Sequence, residues 1–328
     1  MEVSVENLMV EIEISTKETL HHLNRSNHRN IMLMPHIPYT PLAGKSICAL
    51  VIEGGGMRGA FSAGVLDIFL EQRFDPFSVY GGTSGGAMNL SSFLSGQHGR
   101  NFRIYRDICT SPQFVSARKY FRGGHWVDLD WLWQQMAAHE PFDVTAACSH
   151  TRNKHVYFAA TRIDTGAPVY LRPDREIWMD QLKASAALPV LYRHFVTVGG
   201  HAYTDGGVAD PLPTEYAEML GAKVVVVIRS RPQDYRIRSR WTYQLAAAVP
   251  FRRYPQLRSA LKSHVDIYNR QADLLQQRAG QHSLWMIAPQ QATAAGRTSI
   301  SRASIEEDYR RGRAAGTAFL HAHGEQLT

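Results

Sequence analysis

The chain has 328 residues, 44% hydrophobic and 20% charged, which is enough for one large α/β domain or two smaller ones. No apolar run is long enough to span a bilayer, and the first residues lack the basic start and apolar stretch of a signal peptide, so a cytoplasmic protein is expected. The net charge is +7, and the three cysteines, Cys48, Cys109 and Cys148, stand far apart with no C-x-x-C pair, which argues against a disulfide frame or a zinc site.

Residues 1–45 read as an N-terminal extension. His21, His22 and His28 have no partner ligands at a recognisable spacing, and Pro35, Pro38 and Pro41 make an extended linker. Residues 46–52 are nearly all apolar, as in a buried strand of a parallel sheet. Glu53-Gly54-Gly55-Gly56-Met57-Arg58-Gly59 follows, and residues 60–70 read as a helix. A loop of bare backbone N–H groups at a helix start is suited to an anion. Gly54, Gly56 and Gly59 fit the dinucleotide fingerprint G-x-G-x-x-G. That reading wants an acid at the end of the next strand, whereas Glu71 and Asp75 fall before that strand begins. The other reading is an oxyanion hole built from the N–H groups of Gly55 and Gly56.

Residues 78–81 read as a second buried strand and residues 87–94 as a helix. Between them Gly82-Thr83-Ser84-Gly85-Gly86 satisfies G-x-S-x-G, the sharp strand-to-helix turn that presents a nucleophilic serine. The bland alternative is a glycine-rich helix cap. Two such loops in consecutive units favour the oxyanion reading, because neighbouring parallel strands bring both to one carboxyl edge of a sheet.

Residues 96–150 are irregular, with short helices and a run of large aromatics at residues 121–133, suited to core packing, an acyl pocket or a membrane interface. His125 is not expected to be catalytic. Residues 155–161 and 169–171 read as strands, and residues 178–187 as a helix ending at Pro189. Within it Ser185 lies among small residues suited to close packing, but nothing around it resembles an elbow. Residues 195–198 and 201–204 form a hairpin signal, followed by Asp205-Gly206-Gly207, which alone reads as a turn. A helix at 214–220, a strand at 223–228, a long basic helix at 254–278, a strand at 284–287 and a helix at 305–321 complete the chain. Strand and helix alternate nearly throughout, so the expected fold is α/β with a mainly parallel sheet.

Four of these stretches occur in a telling order: residues 54–59, residues 82–86, Ala184-Ser185-Ala186-Ala187-Leu188-Pro189, and Asp205-Gly206-Gly207. Together they resemble the patatin-like phospholipases, over residues 47–228. The resemblance implies a three-layer α/β/α fold and a Ser-Asp dyad, with Ser84 the nucleophile and Asp205 the proton acceptor. Gly55 and Gly56 would supply oxyanion N–H groups, with Arg58 holding or charging the loop. It implies calcium-independent cleavage of acyl esters of phospholipids, lysophospholipids or neutral lipids, with no cofactor and no metal. The sequence departs mildly at three places: the elbow ends Gly85-Gly86 where Ala-Gly is frequent, the acid motif is Asp205-Gly206-Gly207 where Asp-Gly-Ala is also common, and Val190 follows Pro189 where glycine is frequent. The expected organisation is an extension (1–45), a catalytic domain (46–230) and a C-terminal helical region (231–328) packing on it.

Rival readings are a Ser-Asp-His esterase using His264, His282, His321 or His323, a nucleotide-binding protein, and a non-catalytic lipid-binding protein. The basic stretch of Arg229, Arg231, Arg236, Arg238, Arg240, Arg252, Arg253 and Arg258 suits peripheral contact with an anionic inner membrane, or an ordinary solvated face. Nucleic acid is not an expected partner, and oligomeric state is left open.

Overall fold

Strand β1 (Cys48–Ile52) is buried along its whole length, as expected of an apolar strand covered on both faces. The computed structural model describes residues 47–239, 251–281 and 283–327, all within the unit Leu42–Thr328. The expected N-terminal extension, Arg240 and His282 lie outside the described residues.

β1 sits between β2 (Val79–Thr83) and β7 (Val224–Ile228), parallel to both. β3 (His155–Arg162) extends the parallel run beyond β2, and β8 (Leu284–Ile287) extends it beyond β7. β4 (Pro168–Leu171) and β6 (His201–Asp205) pair antiparallel to β3, and β5 (Val196–Val198) antiparallel to β6. Among the described residues the sheet has eight strands, in the order β5-β6-β3-β2-β1-β7-β8, with β4 on β3.

Alternation along β1 builds the layers. Leu50 and Ile52 pack in one cluster with residues of α1 (Gly59–Glu71) and α2 (Gly85–Leu94). Four short helices follow: α3 (Arg100–Arg103), α4 (Ala117–Phe121), α5 (Leu129–His139) and α6 (Val144–His150), with a π turn after α3. Trp178 of α7 (Trp178–Ala186) joins the same cluster. Ala49 and Val51 face the other way, onto Ala217 of α8 (Thr214–Met219) and Val265, Tyr268 and Ala272 of α9 (Pro255–Arg278). The result is a helix layer on each face of a mostly parallel sheet.

α1 is buried nearly all round because α10 (Arg302–Leu327) lies along it. The two backbones come very close: a Cβ on Gly312 would sit 1.9 Å from the Phe61 carbonyl oxygen. Gly312→Val is therefore expected to force α10 off α1 and cost about 2–3 kcal/mol in denaturant unfolding. In the same helix a Cβ on Gly324 would have its nearest neighbour at 3.9 Å, so Gly324→Ala is expected to gain up to about 1 kcal/mol. No described helix is long and apolar enough to cross a membrane.

Arg229 and Arg231 are buried, so the stretch read as a basic surface turns partly inward. Arg236 pairs with Asp273, and Arg238, Arg252 and Arg253 remain exposed.

Candidate active site

β2 ends at Thr83 and α2 begins at Gly85, which leaves Ser84 alone to make the turn. Ser84 has φ 56° and ψ −126°, a conformation that glycine accepts and other residues adopt only under strain. Two hydrogen bonds hold it there. The Ser84 N–H donates to Ser185 Oγ (2.9 Å), and the Ser185 hydroxyl donates to the Ala159 carbonyl (2.7 Å). Ser185 is thus a strut between β3 and the turn, a role the sequence reading did not assign.

β3 is the template that gathers the site. Thr83 is in register with Ala159, and Asp205 with Ala160. The residue after Thr83 and the last residue of β6 therefore arrive at one place, although 121 positions separate them in the chain. Gly206 is needed for this approach, since a Cβ there would lie 2.0 Å from the Ala159 carbonyl oxygen.

Asp205 is pinned by its backbone: its N–H donates to Ala187 O (2.9 Å) and its carbonyl accepts from Thr161 Oγ1 (2.9 Å). Its Oδ1 accepts from the Gly207 N–H at 2.7 Å. Its Oδ2 is buried with no hydrogen-bond partner among the described residues. Burial pushes the Asp205 carboxyl up from its ordinary 3.8 to about 6, against the Ser84 hydroxyl, the Gly207 N–H and Arg297, which pull it down. The hydroxyl is near enough to favour the charged form, yet it closes no hydrogen bond on Oδ2.

The glycine-rich loop after β1 faces the same edge. The Met57 N–H donates to Arg297 O (3.1 Å) and that of Arg58 to Gly55 O (3.3 Å). The N–H groups of Gly55 and Gly56 find no acceptor among the described residues. Gly56 has φ +57°, and a Cβ there would meet Arg297 O at 2.4 Å, so the loop requires glycine at that position. Below the loop, Glu53 is fully engaged: it accepts from the Ser230 N–H (2.8 Å) and Tyr268 Oη (2.8 Å) and lies 3.5 Å from Arg229.

A cavity of about 330 Å³ opens above this edge. Gly54, Gly55, Gly56, Arg58, Thr83, Ser84, Asp205 and Gly207 all contribute to its lining. A second, smaller and almost wholly apolar cavity of about 50 Å³ shares Gly56, Ser84, Leu188 and Arg297 with it and adds Met57, Gly85, Leu129 and Leu132. Gly59, Gly82, Gly86 and Gly206 line neither and serve packing. Of the aromatic stretch, Val127, Leu129 and Leu132 reach the apolar cavity but the tryptophans do not. His125 is placed with Asp130 and His194 and lines neither cavity.

Three of the cavity residues carry no local sequence signal for a site: Arg231, His264 and Arg297. Val190 has φ 72°, so a β-branched residue occupies the left-handed conformation at the position where the resemblance expects glycine. His264 is pushed down to about 4 by burial and by Arg297 and Arg231, and its ring is turned to the backbone of Gly207 and Val208. His321 and His323 lie on α10 and line neither cavity.

Comparison with known proteins places the chain in a class. Residues 50–218 match the family model for patatin-like phospholipases, and residues 254–328 match a domain of unknown function, DUF6363. The chain belongs to the patatin-like phospholipase family, a family of lipid acyl hydrolases. The glycine-rich loop is therefore part of a patatin-like domain, not of a dinucleotide-binding one. Among individual relatives, an Escherichia coli protein described as uncharacterized protein YjjU is 35% identical over 281 residues, covering 85% of this chain and 79% of that protein. Patatin-like phospholipase domain-containing protein 7 of Rattus norvegicus is 28% identical over 202 residues, 59% of this chain but 14% of that much longer protein. The crystal structure of VipD from Legionella pneumophila aligns with a TM-score of 0.45 and 14% identity, covering 85% of this chain and 67% of that one.

Proposed function

We propose that the protein is a serine acyl hydrolase of lipid esters that works through a Ser84–Asp205 dyad. The observation that carries this reading is the pairing of a strained serine with a buried, unpartnered carboxylate oxygen in one cavity. Serine at its ordinary pKa is a weak nucleophile and needs an acceptor for its proton. Asp205 with a pKa of about 6 is a better base than a solvated aspartate, yet is still ionised at neutral pH.

In the proposed cycle Ser84 Oγ bonds to the ester carbonyl carbon while its proton passes to Asp205. The carbonyl oxygen becomes an oxyanion and turns to the N–H groups of Gly55 and Gly56, with the N-terminus of α2 favouring the charge. The bond to the alcohol oxygen then breaks, and Asp205 returns the proton to that oxygen. A water gives its proton to Asp205, attacks the acyl-enzyme and releases the fatty acid, and the proton goes back to Ser84. The alcohol half occupies the larger cavity, and the apolar one, at about 50 Å³, takes the acyl carbons next to the carbonyl. The cycle uses no metal. If the enzyme works at an anionic bilayer, contact falls to the exposed Arg238, Arg252 and Arg253.

The test is hydrolysis of a lipid-ester panel read by mass spectrometry, with labelling of Ser84 by a fluorophosphonate and the Ser84→Ala protein as blank. Release of fatty acid by both proteins alike would sink the reading. A histidine base is the second reading, favoured by the presence of His264 in the cavity. With its pKa near 4 it is a weaker base than Asp205, so His264→Gln is expected to keep turnover within about ten-fold of the parent protein. A loss of several orders of magnitude would favour the histidine.

A further inference from the structure

The larger cavity carries more positive charge than acyl transfer requires. Arg58, Arg231 and Arg297 all line it. Arg231 is buried, with its guanidinium stacked on Tyr235 (4.1 Å) and Tyr268 (5.1 Å), and its Nη1 has no hydrogen-bond partner among the described residues. Nε of Arg58 is likewise buried without a partner. Neither arginine has an ion pair among the described residues. The nearby acid, Glu53, is already committed to Arg229, Ser230 and Tyr268. The three guanidiniums also feel one another: burial, then Arg231 and Arg297, hold the Arg58 pKa down to about 10. Burying an unpaired cation such as Arg231 costs several kcal/mol unless an anion repays it, and guanidinium donors match the oxygens of a phosphate.

We propose that Arg58, Arg231 and Arg297 hold a phosphate in the alcohol half of the substrate, so that the enzyme selects net-anionic acyl glycerophosphates over zwitterionic and neutral acyl esters. The inference rests on the acyl-hydrolase reading above and deepens it. Position favours it, since Arg297 lines both cavities and its carbonyl holds the Met57 N–H, which puts this arginine beside the reacting serine. Volume favours it too: about 330 Å³ is at the small end of ligand pockets, suited to a compact head group. Discrimination against choline or ethanolamine follows from charge. The carboxylates lining the cavity are Glu53 and Asp205, the first committed and the second reserved for the serine proton. An ammonium group would therefore meet guanidiniums and no available anion.

Binding to the Ser84→Ala protein tests this separately from turnover. The probes are a short-chain monoacylglycerol phosphate, its choline ester, the matching monoacylglycerol, and inorganic phosphate, each measured by calorimetry. The phosphate-bearing lipid is expected to bind at least about ten-fold tighter than the choline ester and the monoacylglycerol. Arg231→Gln is expected to reduce that preference about ten-fold, with Arg231→Lys falling between, in proteins whose melting temperatures show them folded. Equal binding of the three lipids, or an unchanged preference in folded Arg231→Gln, would overturn the inference. So would inorganic phosphate binding as tightly as the lipid, since the cavity would then be a free-anion site. If the lipids bind as expected but the parent protein cleaves none of them, the hydrolase reading fails and the anion site stands.

Discussion

Asp205→Asn is expected to lower kcat/KM on a lipid ester by about 10²–10⁴-fold and, at pH 8, to make the protein more stable. The amide keeps the acceptor for the Gly207 N–H but offers Ser84 no base. The stability gain follows from the sign of the pKa shift. The carboxyl titrates near 6 in the folded protein and near its ordinary 3.8 when unfolded. Its charged form is therefore disfavoured by folding. Its contribution is fully present well below pH 4, declines as pH rises to about 6, and is constant above that. A shift of about two units corresponds to about 3 kcal/mol at most. The variant should gain up to that amount at pH 8 and only about 0.5 kcal/mol at pH 4, in denaturant unfolding at the two pH values. Some slope will persist, because Asp210 is also raised to about 6 by burial, while bonded to Tyr170 and Gln271. In the parent enzyme kcat/KM should fall about ten-fold per unit below an apparent pKa of about 6. A limb near 4 would point to His264, and a variant that is both inactive and less stable at pH 8 would contradict the buried-base reading.

Much of this site was readable in the chain because its parts carry local constraints. A serine that must sit at positive φ brings glycines beside it, and a loop packed under Arg297 needs glycine at position 56. The apolar runs of β1 and β7 have to be central strands. Asp205 was legible only through the ordered motifs, since Asp-Gly-Gly by itself is a turn. What gave no signal came from elsewhere in the chain. Arg231 follows β7, His264 lies on α9 and Arg297 precedes α10, and nothing in their neighbours announces a cavity. Arg229 and Arg231 look like surface charges by composition, and only the fold turns them inward against Glu53 and Tyr268. Ser185 had one clue, the small residues around it, which mark close packing but not its hydrogen bond to Ser84.

Ser84→Gly and Ser84→Ala should separate chemistry from strain. Both remove the hydroxyl and are expected to abolish ester turnover, leaving at most about one part in 10³. They differ in the backbone. Alanine keeps the Cβ, so it keeps the cost of holding φ at 56° and ψ at −126°, which is about 1–3 kcal/mol. Glycine removes that cost and adds about 0.4–1 kcal/mol of unfolded-state entropy to be lost on folding. Ser84→Gly should therefore be more stable than Ser84→Ala by about 1 kcal/mol in guanidinium unfolding. The bonds from residue 84 N–H to Ser185 and from Met88 N–H to residue 84 carbonyl are backbone bonds at position 84, so both variants retain them. If alanine proves as stable as glycine, the turn stores no strain, and the serine is not being held against its own preference. If Ser185→Ala then leaves turnover untouched as well, the strut is dispensable and the geometry at Ser84 must be set by the glycines alone.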